Sequence, residues 1–272
     1  MLHQRIVLPQ TGVNLLTYLT NNDALEGRYI AGPVHEFDRK RPLVIVFPGG
    51  GYQRRSPREA EPVALRLVAL GIQTVIIEYS CFPALYPTAL EEAAEAVAYC
   101  REHANEWCAD PDKIAVLGFS AGGHAAGSIG ILWERLEMGD VCRPDAMILC
   151  YPVITGGEFA HRGSFKHLLG DKHDEMVDFV SLEKHVQENT PPTFLWHTWA
   201  DETVPVENSL MLAWALRRKG VDCEMHIYQN GKHGLSLSNE ECFPTGAPNM
   251  RLDCQNWIDM AARWLKELDT SK

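Results

Sequence analysis

No CxxC pair occurs among the eight cysteines, which lie scattered at 81, 100, 108, 142, 150, 223, 242 and 254. That spacing lacks the pattern of a zinc ribbon or a dithiol redox centre, and no metal is expected. No run approaches the ~20 apolar residues of a membrane span. The opening stretch MLHQRIVLPQTGVNLLTYLT has no apolar core followed by a small-residue cleavage site, so no signal peptide is read. The expected compartment is cytoplasmic, with the cysteines reduced and mostly buried as small hydrophobes. Positive charge is scarce: 25 Lys and Arg stand against 36 Asp and Glu, for a net charge of −11. A nucleic-acid partner needs a basic face, and an anionic membrane repels this balance, so neither is expected. Repeats, low-complexity tracts and long Pro/Gly linkers are absent as well. Residues 1–272 are therefore expected to form one domain.

What is present is a series of unbroken apolar runs: LVIVF (43–47), TVIIEY (74–79), KIAVLGF (113–119), AMILCY (146–151), TFLWHT (193–198) and CEMHIY (223–228). Runs of this length without polar alternation suit strands covered on both faces, as in a parallel sheet. Helical patterns fill the gaps at 59–71, 87–107, 206–220 and roughly 250–268. The last places Trp257, Ile258, Ala261, Trp264, Leu265 and Leu268 on one stripe, which reads as core packing. Alternating strands and helices predict an α/β doubly wound sheet. The polar stretch 155–192 interrupts the alternation and reads as an insertion of short helices over the sheet's C-terminal edge, a small cap. Its four histidines, at 161, 167, 173 and 185, have irregular spacing and no paired carboxylates. They read as solvated surface.

Gly118-Phe119-Ser120-Ala121-Gly122 is a G-x-S-x-G sequence between a strand and a small-residue helix. A strand that turns straight into a helix strains the residue at the bend, and glycines two before and two after relieve the crowding. Ser120 is then lifted above the sheet edge as a nucleophile, with the N–H of Ala121 beside it. The bland alternative is that Gly122 and Gly123 only allow close helix–strand packing.

A serine nucleophile needs a base and a group that orients the base. Asp201 lies just past the strand TFLWHT, and His233 lies in the glycine-flanked loop QNGKHGLSL. Both fall at the C-terminal edge, in the order serine, acid, histidine. Glu202 is the rival acid. His226 is mid-strand, His124 lies one turn past the serine and faces away, and His197 reads as core. The third requirement is a set of N–H donors for an oxyanion. Pro48-Gly49-Gly50-Gly51-Tyr52 follows the first core strand and offers Gly50 and Gly51, with Ala121, as donors. Read as a phosphate loop, it lacks both the Lys-Ser/Thr ending and the dinucleotide spacing.

With PGGGY, GFSAGGH, DETVP and GKHGLSL in this order, the chain resembles the α/β-hydrolase superfamily from about residue 5 to 266. Within it, the chain is similar to the esterase branch related to hormone-sensitive lipase and to bacterial feruloyl and acetyl-xylan esterases. That branch usually reads HGGG where this chain has Pro48, which removes a side-chain contact that steadies the loop. The resemblance implies a serine carboxylesterase without cofactor: Ser120 nucleophile, His233 base and acid, Asp201 orienting carboxylate. The N-terminal segment is too short for a helical lid, which favours small acyl groups such as acetate on a xylo-oligosaccharide. Tyr52 and Tyr79 are expected to border the cleft and contact the substrate. A serine peptidase of the prolyl-oligopeptidase type and a non-catalytic binding protein are the alternatives. Monomer and homodimer both remain open.

Overall fold

The computed structural model describes residues 1–21, 40–244, 247 and 250–269. Residues 22–39, part of the N-terminal segment expected to be too short for a lid, lie outside the described residues. Eight strands form one sheet: β1 (Arg5–Val7), β2 (Asn14–Tyr18), β3 (Arg41–Phe47), β4 (Gln73–Ile77), β5 (Ala109–Phe119), β6 (Ala146–Cys150), β7 (Thr193–Thr198) and β8 (Cys223–Tyr228). Their order is β1-β2-β4-β3-β5-β6-β7-β8. β1 and β2 run antiparallel at one edge, and β3 to β8 are mutually parallel.

The parallel strands are the six apolar runs. Every residue of β3, β4, β6 and β7 is buried, because helices cover both faces. Side chains alternate between two cores: Leu43, Ile45 and Phe47 of β3 join one, Val44 and Val46 the other. Helices α2 (Thr88–Glu102), α3 (Ala121–Leu132) and α6 (Glu207–Arg218) cover the first face. Helices α1 (Glu61–Ala69) and α7 (Trp257–Glu267) cover the second. In α7 the stripe Trp257, Ile258, Ala261 and Leu265 is buried, as its spacing requires.

Three features differ from the sequence reading. β8 is half-exposed along its length, since it closes the sheet and has a neighbour on one side only. The short pair β1 and β2 carries no long apolar run to announce it. And α2 stops at Glu102, short of 107, where the chain turns through Cys108 at φ 51° to enter β5. Residues 155–192 hold two short helices, α4 (Arg162–Leu169) and α5 (His173–Met176), between 3₁₀ turns. Among the described residues no helix is long and apolar enough to cross a membrane.

Candidate active site

Ser120 occupies the bend between β5 and α3 at φ 54°, ψ −121°, a region that non-glycine residues rarely enter. The glycines around it are demanded by contact. A Cβ on Gly118 would stand 2.2 Å from the carbonyl oxygen of Gly122, and one on Gly122 would stand 2.2 Å from that of Phe47. The bend therefore fits only if both positions lack side chains. It holds Ser120 at the start of α3, where the helix dipole favours negative charge.

Asp201 sits in the turn after β7, its N–H donating to Thr198 O. His233 sits in the loop after β8 between Gly231 (φ 144°) and Gly234 (φ 80°). The structure brings these residues and Ser120 together. The Ser120 hydroxyl faces His233 Nε2 at 2.8 Å, and His233 Nδ1 donates to Asp201 Oδ2 at 2.6 Å. The other carboxylate oxygen, Oδ1, accepts from the N–H groups of Thr203 and Val204 at 2.9 and 3.0 Å. Burial alone would raise the Asp201 pKa, but donors on His197 and His233, the charge available on His233 and the Val204 N–H outweigh it. The carboxyl is held far below the usual range. Glu202, the rival acid, points to solvent.

His197 is more than core. It is fully buried, with Nδ1 2.8 Å from Ser209 Oγ and Nε2 2.9 Å from the carbonyl oxygen of Val204. The same Nε2 lies 3.4 Å from Asp201 Oδ2. A second imidazole therefore backs the carboxylate that bonds His233. Its position four residues before Asp201 was the only signal in the sequence.

The loop after β3 turns through Gly50 (φ 130°) and Gly51 (φ 66°). The N–H groups of Gly50, Gly51 and Ala121 donate to nothing among the described residues. With Pro48 in place of a histidine, other groups hold the loop. Tyr79 donates its hydroxyl to Pro48 O at 2.6 Å, and His167 Nδ1 donates to Gly51 O at 2.9 Å. The buried carboxylate of Glu59 accepts the Gly49 N–H at 2.9 Å and the Tyr151 hydroxyl at 2.7 Å. Tyr151 Oη in turn accepts the N–H of Ser236 at 2.9 Å, and the Tyr151 ring stands edge-on to His233 at 5.1 Å.

A fold of this order, with a strained serine bend and these three side chains in line, is that of the α/β-hydrolases. Residues 33–216 match the family model described as BD-FAE. The chain belongs to the BD-FAE family. Over 221 residues it is 38% identical to endo-1,4-beta-xylanase B of Butyrivibrio fibrisolvens, a match covering 77% of this chain and 35% of that one. It is 29% identical to an acetylxylan esterase of Xylanibacter ruminicola, covering 71% of this chain and 41% of that one. The chain thus spans well under half the length of these two relatives. Among solved structures it is similar to an acetyl ester-xyloside bifunctional hydrolase from Caldicellulosiruptor lactoaceticus. That likeness has a TM-score of 0.79 at 37% identity and covers 95% of this chain and 89% of that one.

In this BD-FAE member the two tyrosines expected to border the cleft lie beneath it instead. Tyr52 follows Gly51 at φ 56°, which turns its ring inward. Its hydroxyl meets His124 Nδ1 at 2.8 Å, while His124 Nε2 donates to the carbonyl oxygen of Val180 at 2.9 Å. Tyr79 is fully buried against it, the rings 6.0 Å apart. Both rings support the glycine loop and offer no face to a ligand. Two of the insertion histidines depart from the surface reading: His161 and His167 are half-buried and lie against the glycine loop, whereas His173 and His185 make their hydrogen bonds at the exposed surface. Beside His233 opens a cleft of about 570 Å³ whose walls include Glu202, Thr203, Lys232 and Arg251.

Proposed function

We propose that this chain is a serine carboxylesterase acting on short acyl esters, with acetyl groups on xylo-oligosaccharides as the substrate class. The observation that carries the reading is the unbroken line from Ser120 Oγ through His233 to the buried Asp201 carboxylate. Asp201 accepts from Nδ1–H and so fixes the tautomer that leaves Nε2 free to take the serine proton. Ser120 Oγ attacks the ester carbonyl as His233 Nε2 receives that proton. The carbonyl oxygen becomes an alkoxide facing the N–H groups of Gly50, Gly51 and Ala121, each worth about 3 kcal/mol in the transition state. On collapse the C–O bond to the alcohol breaks, and His233 hands the proton to the leaving oxygen. Water, deprotonated by the same imidazole, then cleaves the acyl-enzyme.

The proton must be delivered from His233, so the alcohol leaves on the His233 side. The cleft there presents the side chains of Glu202, Thr203, Lys232 and Arg251, whose donors and acceptors suit a hydroxyl-rich alcohol better than an alkyl one. Two relatives whose names speak of xylan or acetylxylan, and the acetyl ester-xyloside hydrolase, support the same choice. The segment 155–192 serves as a small cap over this edge.

Two measurements test the reading. A fluorophosphonate should label Ser120, and Ser120→Ala should lose several orders of magnitude in kcat while staying folded; labelling elsewhere overturns the assignment. On an acyl panel kcat/KM should be highest for acetyl and fall beyond butyryl, at about 1–3 kcal/mol for each methylene without room. Octanoyl esters cleaved faster than acetyl esters, with acetylated sugars untouched, overturn the substrate class.

A further inference from the structure

The geometry points to His161 as a substrate-binding residue that hydrogen-bonds a hydroxyl group next to the scissile acetyl ester. This rests on the carbohydrate-esterase reading and adds to it the group that would select a sugar over a simple alcohol.

His161 immediately precedes α4, and α4 is fastened to the glycine loop by His167 Nδ1 donating to Gly51 O. The His161 ring is fixed by Ser164, whose fully buried hydroxyl lies 2.8 Å from Nδ1. Its Cε1 stands 4.0 Å from the point where a side chain on Gly51 would begin. The imidazole therefore stands beside Gly51, whose N–H is one of the proposed oxyanion donors. From there His161 is within electrostatic range of both His233 and Asp201. Burial, then the nearby His233, hold it below the ordinary histidine range, with Asp201 pulling the other way. At neutral pH the ring is uncharged, and among the described residues its Nε2 has no hydrogen-bond partner.

A neutral imidazole with one nitrogen committed offers either a donor or an acceptor at the other, according to the tautomer. A hydroxyl answers both cases, because it can donate or accept. A carboxylate answers only one, and an alkyl group leaves the nitrogen unpaired, which is where hydrogen-bonding sites discriminate most strongly. A singly acetylated pyranoside, such as a 2-O-acetyl xyloside, carries a free hydroxyl on a carbon next to the ester. Aryl acetates do not.

The test compares kcat/KM for a 2-O-acetyl xyloside and for 4-nitrophenyl acetate. In His161→Ala the ratio of the two should fall by about 10- to 100-fold, and His161→Gln, which keeps both a donor and an acceptor, should recover most of it. On the substrate side, the 3-deoxy analogue of the same acetyl xyloside, which lacks the oxygen and so pairs with neither tautomer, should cost the wild type a similar factor and His161→Ala little further. An unchanged ratio, whether both activities fall together or neither moves, overturns the inference. So does a wild type indifferent to the loss of that hydroxyl, a result that holds even if His161→Ala fails to fold. A wild type that cleaves nitrophenyl acetate but no acetyl xyloside overturns the carbohydrate reading itself, which a normal wild type with an indifferent variant does not.

Discussion

Replacing His124 with asparagine should make the protein less sensitive to acid even as it weakens the fold. The imidazole is buried in α3 between the Tyr52 hydroxyl and the carbonyl oxygen of Val180. Burial lowers its pKa from 6.5 to about 4. Between those values the unfolded chain binds a proton that the folded one refuses, so stability rises with pH across the window and is lost as pH falls through it. At pH 5 the unfolded state gains a factor of about 30 from this one group, or about 2 kcal/mol, and at pH 8 almost nothing. The asparagine variant loses the two hydrogen bonds, about 1–3 kcal/mol at every pH, but drops the acid term. Urea unfolding of both proteins at pH 5 and pH 8 measures it: the wild type should lose about 2 kcal/mol more than the variant between the two conditions. Equal losses would refute the reasoning, since His124 would then titrate alike in both states. In the folded protein Nδ1 takes up its proton only near pH 4, where Tyr52 loses its acceptor and the loop above it should loosen.

Asp201→Asn should cost about 10⁴-fold in kcat through the wrong tautomer of His233, whereas Glu202→Gln, at an exposed side chain, should change kcat little; a larger loss at Glu202 reverses the assignment. His197→Leu should lower kcat by about tenfold or more with KM nearly unchanged, because Asp201 loses a donor to a charged acceptor. Full activity with only a lowered Tm would mean that His197 merely packs.

The parallel part of the sheet was legible because strands covered on both faces must be apolar throughout, and β3, β4, β6 and β7 are buried end to end, as β5 is from Ile114 to Phe119. β1 and β2, three and five residues long, carry too little pattern to stand out. Ser120, Asp201 and His233 could be found because chain order and the C-terminal ends of strands restrict where such groups fall. What escaped was set by partners far along the chain. Tyr52 reaches His124 across 72 positions, and Glu59 reaches Tyr151 across 92. His167 finds Gly51 across 116. No local spacing encodes such meetings, so a ring expected to face a ligand is instead turned inward, and His167, which read as surface, belongs to the loop's support.

The Glu59 carboxylate has a consequence for anyone who would recombine this molecule with its relatives. One of its oxygens holds the loop at Gly49; the other, through the Tyr151 hydroxyl, holds the segment at Ser236, three residues beyond His233. Ser236 closes the circuit by donating its hydroxyl to the carbonyl oxygen of Arg58. The glycine strip and the strip that carries His233 are therefore one module, although some 180 positions separate them in the chain. A chimera that imports either strip alone breaks the latch, and both must travel with the glutamate and the tyrosine that join them.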